Sequence, residues 1–146
     1  MGCSGDGIQQ VNIRRDMVID VSLQKVFIMC GINNLSNEHY ASNLQNGYIE
    51  LFDYYQNYAA DMEIYLLSIL PTCEPDTIDK ERIVDANKIL ESVASEYAQV
   101  EFVDLYTEYA DEDGNMIKEY VKADGLHLNE TGYQKMCELI TEYMSE

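Results

Sequence analysis

Three short stretches of the chain are almost continuously apolar and rich in branched side chains. They read KVFIMCG (residues 25–31), EIYLLSILP (63–71) and VEFVDLY (100–106). Apolar runs of this length, without polar alternation, are typical of strands that are covered on both faces, as in a parallel sheet. The pattern therefore predicts three buried strands.

Apolar residues recur with helical spacing between and after these strands. A weaker amphipathic segment, residues 8–21, precedes the first strand. The other three sets follow the strands in turn, and they are Tyr48, Leu51, Phe52, Tyr55 and Ala59; Ile83, Ala86, Leu90, Val93, Ala94 and Tyr97; and Tyr133, Met136, Cys137, Ile140 and Tyr143. This alternation predicts an α/β fold with right-handed crossovers and helices on both faces of a parallel sheet. With 146 residues, the chain has the length of one domain, spanning 1–146.

A polar loop follows each predicted strand. These loops cover residues 31–40, 71–77 and 106–127. In open parallel sheets, active groups gather on the loops at the carboxyl ends of the strands. We therefore expect Asn33, Asn34, Asp124 and His127 to meet at one rim of the sheet, although they lie far apart in the sequence.

The charge of the chain is strongly acidic. Nine Lys and Arg residues stand against 27 Asp and Glu residues, for a formal net charge of −18. The resulting field repels phosphate backbones and anionic membrane surfaces, so we expect no nucleic-acid partner. A hydrophobic content of 47% with 12 tyrosines favours a packed globular domain over a disordered acidic chain. No apolar run approaches the roughly 18 residues of a membrane span, so none is expected.

The cysteines and the N-terminus bear on metal binding and on the cellular compartment of the protein. The four cysteines, Cys3, Cys30, Cys73 and Cys137, show no metal-ligand spacing, and we interpret them as free thiols that pack as small hydrophobes. Met1 is followed by GCSGDG and not by a signal-peptide leader. This favours a cytoplasmic location, while the cysteine pattern leaves the compartment open.

A metal site is the alternative interpretation of the acidic loop DEDGN (111–115). Its residues Asp111, Asp113 and Asn115 are spaced like the start of a calcium loop. The glycine and glutamate that such a loop requires are replaced by Met116 and Lys122. The two histidines also lack partners at ligand spacing. We therefore interpret the loop as a solvated turn and expect no metal and no cofactor.

The stretch DGLHLNETGY (124–133) holds one of only two histidines. Its Asp124 stands three residues before His127. A carboxylate can hold an imidazole in the tautomer and orientation that a general base needs. The motif is not specific by itself, because a histidine in a polar loop before a helix is often an ordinary surface or capping residue. The other histidine, His39, is interpreted as a surface loop residue.

Three stretches together resemble the SGNH hydrolases, also called GDSL-type esterases or lipases. GCSGDG (2–7), VFIMCGINNL (26–35) and DGLHLNETGY (124–133) are similar to the second, third and fifth sequence blocks of that family, in order and spacing. The resemblance covers essentially the whole chain. It implies a three-layer α/β/α fold with a flavodoxin-like parallel sheet. It also implies hydrolysis of an ester through a covalent acyl intermediate, on a substrate such as a small acyl ester or an acetylated carbohydrate.

The resemblance implies a role for four residues. Gly5 would donate its backbone N–H, and Asn33 its side-chain amide, to the oxyanion of the tetrahedral intermediate. His127 would be the general base and Asp124 its orienting partner. Asn34 stands where family members commonly have aspartate, and we expect this difference to affect loop stability more than chemistry.

The nucleophile is the main departure from the family pattern. In the family it is the serine of a Gly-Asp-Ser motif, which precedes the second block, and here the second block begins at Gly2. Ser4 is the alternative candidate, but serines in such turns generally serve turn geometry. The pattern fits an incomplete esterase that retains about three strands, N-terminally truncated relative to the family. It also fits a non-catalytic relative that serves as a binding or assembly module.

The resemblance also has a consequence for the part of the first predicted strand from Val26 to Cys30. In the family, this strand is flanked by the one that carries the serine. An apolar strand without its neighbour presents unpaired backbone groups and is a template for pairing with another chain. We therefore predict self-association through this strand, or its completion by another polypeptide.

Overall fold

The computed structural model describes residues 5–20, 23–73 and 78–144, with the side chain of Asp20 excepted. Strands and helices alternate along these residues. The strands are β1 (Lys25–Ile28), β2 (Glu63–Leu67) and β3 (Val100–Val103). The helices are α1 (Ile8–Ile13), α2 (Asp16–Asp20), α3 (Tyr40–Tyr58), α4 (Lys80–Ala94), α5 (Tyr106–Tyr109) and α6 (Glu130–Met144), with short 3-10 turns at Ile32–Asn34 and Lys118–Tyr120.

The three strands form one parallel sheet in the order β1-β2-β3. Val26 pairs with Ile64 and Tyr65 with Glu101, so the strands run in register from their first residues. The predicted α/β class and the parallel sheet are therefore confirmed. In the described residues β1 pairs only with β2, and its other edge carries no strand.

Helices cover both faces of the central strand β2. Ile64 and Leu66 contact a core built with α1, α3 and α4, while Tyr65 and Leu67 contact a second core built with α5 and α6. The sheet is thus the middle of three layers, as the family resemblance implies. No helix among the described residues is long and apolar enough to cross a membrane.

Each strand ends three or four residues before its apolar run does. The chain leaves β1 after Ile28, and Gly31 follows with a φ of +139°. After β2, the buried Ser68 accepts hydrogen bonds from the backbone N–H groups of Leu105 and Tyr106, at 2.9 and 2.8 Å, and so joins the two strand ends. The apolar residues that follow β1 and β2 in these runs leave the sheet and become walls of the cleft described below, whereas Leu105, after β3, is buried in the core on the α5 and α6 side.

The amphipathic segment before β1 forms two short helices and not one. Helix α1 ends at Ile13, and the backbone N–H of Arg14 bonds to the carbonyl of Val11 in a tight turn before α2. Residue Val21, the end of the predicted segment, lies outside the described residues. Cys30, Cys73 and Cys137 form no disulfide, whereas Cys3 is outside the described part of the chain.

Candidate active site

The loop before α1 is held by the side chain of Asn34. Gly5 lies in this loop with a φ of +83°, a left-handed conformation that favours glycine. Asn34 is buried, and its Oδ1 accepts a hydrogen bond of 3.0 Å from the backbone N–H of Ile8. A Cβ on Gly7 would lie 2.7 Å from the same Oδ1. Asn34 therefore fixes the loop and does not line the cleft described below, so the prediction that it meets His127 at the rim is wrong: its side chain is buried against the loop before α1.

Helix α1 docks the same loop onto α3. Ile8 is fully buried, and a Cβ on Gly47 of α3 would lie 2.5 Å from its Cγ2. The Nδ2 of Asn12 donates a hydrogen bond of 2.8 Å to the Gly47 carbonyl. The position of Gly5 thus depends on how closely two helices approach each other.

Asn33 faces this loop from the turn after β1. Its Nδ2 donates to the backbone carbonyl of Asp6 at 2.9 Å. An amide nitrogen carries two hydrogens, so one N–H of Asn33 remains for another acceptor. The Asp6 carboxylate forms an ion pair with Arg14. This ion pair anchors Asp6, whose backbone carbonyl in turn orients the Asn33 side chain.

Asp124 and His127 form a pair within one turn. The Nδ1 of His127 lies 2.9 Å from the Oδ2 of Asp124. The other oxygen, Oδ1, accepts from the backbone N–H groups of His127 at 2.9 Å and Leu126 at 3.0 Å. These two N–H groups, followed by the imidazole, lower the pKa of Asp124 to about 2. The carboxylate is therefore ionised at neutral pH.

This electrostatic arrangement predicts a pH dependence. Folding lowers the pKa of Asp124, so its ionised carboxylate stabilises the folded protein. This stabilisation is fully present at pH values above the ordinary pKa of aspartate and is lost as the pH falls through about 2. We expect ¹³C NMR of the carboxyl group to titrate with that midpoint, and the amide signals of Leu126 and His127 to move with it. His127→Ala should raise the midpoint only in part, since backbone groups are the largest cause. A midpoint near 3.8 would contradict the arrangement.

The loop that carries His127 is fastened to its surroundings. Val121 and Leu128 form an antiparallel bridge, and the Lys122 N–H donates to the His127 carbonyl at 2.8 Å. The carbonyl of Gly125 accepts a bond of 2.8 Å from the backbone N–H of Cys73. The imidazole therefore projects from a loop with a fixed backbone, although its side chain is 62% exposed.

Helix α6 begins immediately after this loop, and its packing requires a glycine. A Cβ on Gly132 would collide with the backbone carbonyl of Tyr120. We expect Gly132→Ala to lower the free energy of unfolding by about 1–3 kcal/mol in chemical denaturation, because backbone cannot move aside as a flexible side chain can. The control is Gln134→Ala, an exposed position on the same helix, with an expected change within about 0.5 kcal/mol. Equal stability of the two variants would refute the close packing.

One cleft brings the predicted residues together. Gly5, Asn33 and His127 line a cavity of about 600 Å³ at the carboxyl ends of β1 and β2, with Asp124 behind His127. Apolar residues supply most of the remaining wall, among them Met29, Ile69, Leu70, Pro71 and Tyr133. His39 is exposed at the start of α3 and is not among the lining residues.

Among the described residues, no serine lines this cleft. Ser4, Ser22 and Ser145 lie outside the described part of the chain. Cys30 does line the cleft, but burial raises the pKa of its thiol to about 11. Since the thiolate and not the thiol is the nucleophile, Cys30 is a poor substitute at neutral pH.

Several lining residues were missed by sequence reasoning, Arg14 and Tyr133 among them. Arg14 and Tyr133 both face the cleft. Arg14 follows the end of a short helix, and nothing in its spacing distinguishes it from a surface cation. Tyr133 belongs to the apolar set that predicts α6, and such a set indicates packing against the core, whereas Tyr133 is 53% exposed.

Solved structures with the same fold cover nearly all of this chain. A GDSL-like lipase from Bacteroides thetaiotaomicron matches with a TM-score of 0.85 and 24% identity, over 99% of this chain and 74% of that one. A Streptococcus pneumoniae protein, provisionally named a platelet activating factor, matches with a TM-score of 0.84 and 28% identity, over 95% and 68%. A family 3 carbohydrate esterase from Clostridium thermocellum matches with a TM-score of 0.72 and 23% identity, over 99% and 69%.

Of the two sequence comparisons, the one with family models gives a match. No curated protein matches the chain by sequence. The model of the GDSL-like lipase/acylhydrolase family matches residues 1–135, which is most of the 146-residue chain. The chain belongs to the GDSL-like lipase/acylhydrolase family.

Proposed function

We propose that these 146 residues supply the general base and the oxyanion donors of a serine ester hydrolase, and that the nucleophilic serine comes from a Gly-Asp-Ser segment outside them. One observation carries the proposal. Gly5, Asn33 and His127 line one cleft, and no serine of the described residues lines it with them. A base and an oxyanion site without a nucleophile correspond to part of a triad site.

In the proposed reaction, the serine Oγ attacks the ester carbonyl and His127 takes the proton at Nε2. Nε2 is the available nitrogen because Nδ1 faces Asp124. The oxyanion of the tetrahedral intermediate accepts hydrogen bonds from the Gly5 backbone N–H and the second N–H of Asn33. Collapse breaks the bond to the alcohol, which leaves with the proton from His127. Water then hydrolyses the acyl-serine with His127 again as the base.

The cleft limits the substrate class. Its walls are mostly apolar, which suits the acyl half of an ester, and the negative charge of the chain disfavours polyanionic carriers. The Clostridium thermocellum neighbour is named a carbohydrate esterase. Small acyl esters and acetylated carbohydrates are therefore the substrates we propose to test.

The proposal is tested by supplying the Gly-Asp-Ser segment that would carry the nucleophilic serine. The chain is fused at its N-terminus to the strand and Gly-Asp-Ser turn of a family member, and hydrolysis of p-nitrophenyl acetate is followed. We expect turnover in the fusion and none above background in a fusion whose serine is alanine. Equal turnover by the unfused chain would overturn the proposal, because a nucleophile would then lie within the 146 residues.

A second candidate function, assembly through β1, is favoured by the surface beside that strand. Leu23 and Met29, at either end of β1, are each 45% exposed, and β1 pairs only with β2 in the described residues. We propose that the unfused chain self-associates here. In sedimentation velocity, Leu23→Lys should shift the population toward monomer, whereas Val84→Lys on α4 should not. A wild-type chain that is monomeric at about 100 µM would rule out this association.

A further inference from the structure

A second hollow, of about 380 Å³, shares Gly5 and Asn33 with the catalytic cleft. Amide side chains dominate its lining. They are Gln9, Gln10, Asn33, Asn34, Asn37 and Asn43. No charged residue is among the described residues that line it, although 25% of the chain is charged. The surface is thus polar and uncharged, in contrast to the apolar cleft beside it.

In three of these amide side chains, the oxygen accepts a hydrogen bond from the protein. The Oε1 of Gln10 accepts from the Gly7 N–H at 3.0 Å, and the Oδ1 of Asn37 accepts from the His39 N–H at 2.8 Å. The Oε1 of Gln9 accepts from the Nδ2 of Asn34 at 2.9 Å. In each case a protein N–H group donates to the amide oxygen, so an NH₂ group without a partner in the protein can donate to a ligand.

The NH₂ groups have few acceptors within the protein. Among the described residues, those of Gln10 and Asn37 have no protein acceptor, and that of Gln9 reaches only the Asn43 carbonyl at 3.5 Å. The hollow therefore presents several fixed N–H donors without a positive charge. Such a surface matches oxygen acceptors on a neutral molecule.

We infer that this hollow binds a neutral carbohydrate, the sugar that carries the ester, while the ester carbonyl lies at Gly5 and Asn33. Hydroxyl and ring oxygens of a sugar are closely spaced neutral acceptors, which is what the amide NH₂ groups require. An acyl chain would gain little from polar walls, and the charge of −18 opposes an anion. The inference rests on the proposed function, since it names the alcohol half of the ester at the same site.

The hollow offers isosteric test variants. Gln10→Glu keeps an oxygen that accepts from the Gly7 N–H, and Asn37→Asp keeps one that accepts from the His39 N–H. Both variants replace the free NH₂ group with oxygen. Gln56→Glu on α3 adds the same charge away from the hollow. The unfused chain is titrated with xylotriose, and the side-chain amide signals of Gln9, Gln10 and Asn37 are followed by ¹⁵N NMR.

We expect xylotriose to shift these amide signals in the wild-type chain. The dissociation constant should rise by roughly fivefold or more in Asn37→Asp and Gln10→Glu and stay unchanged in Gln56→Glu, because each lost donor removes one hydrogen bond. The inference is overturned if the signals do not move, if only tri-galacturonate moves them, or if an uncharged tripeptide moves them equally. The titration measures binding and does not depend on catalysis. The serine fusion can therefore hydrolyse esters even if the hollow binds no sugar, and the hollow can bind the sugar even if the fusion is inactive.

Discussion

His127→Ala in the serine-bearing fusion is expected to lower kcat/KM for p-nitrophenyl acetate by about 10³-fold. His127 lines the cleft with Gly5 and Asn33, and its Nδ1 is engaged by Asp124 at 2.9 Å, so Nε2 is the proton acceptor that we propose. Without it, the serine must lose its proton to water.

The chain offers a matched control for this variant. His39 is the second histidine, and it lies exposed at the start of α3, outside the cleft lining. His39→Ala should leave kcat/KM within about twofold of the parent, since nothing places it near the reacting atoms. If the two alanine variants lost activity equally, the assignment of His127 as the base would be wrong.

Asn33→Ala is expected to lower kcat of the fusion by about 10²-fold to 10³-fold with little change in KM. One N–H of its amide bonds to the Asp6 carbonyl at 2.9 Å, and the other is the donor that we propose for the oxyanion. That hydrogen bond strengthens only as charge develops, so its loss acts on the transition state more than on substrate binding.

Asn34→Asp is the control for Asn33. It keeps an oxygen to accept from the Ile8 N–H and restores the residue that family members commonly have at this place. We expect kcat within about threefold of the parent, together with a change in thermal stability. A larger loss of kcat in Asn34→Asp than in Asn33→Ala would transfer the oxyanion role away from Asn33.

Much of the fold could be predicted because its pattern is local. Three apolar runs separated by helical periods indicate a parallel α/β sheet, and all three strands occur where predicted. The strand ends could not be located from hydrophobicity. Ile69 and Leu70 continue the apolar run after β2, yet they form the wall of the cleft. Burial in a sheet and burial in a cleft wall produce the same sequence signal.

The site was predictable to the extent that its motifs are local. Asp124 and His127 stand three residues apart, and the residues that bind them lie within the same turn. The support for the loop at Gly5 was not predictable, because it depends on the approach of Ile8 to Gly47 and on the ion pair of Arg14 with Asp6. These contacts join positions whose spacing carries no periodic signal.

The most direct test of the central claim is where a fluorophosphonate attaches. Peptide mass spectrometry of the labelled fusion should find the probe on the serine of the supplied Gly-Asp-Ser segment, with labelling strongly slowed by His127→Ala. The unfused chain should remain unlabelled. A probe attached to Ser4, or to any other serine of the 146 residues in the unfused chain, would contradict the claim that the nucleophile comes from outside them.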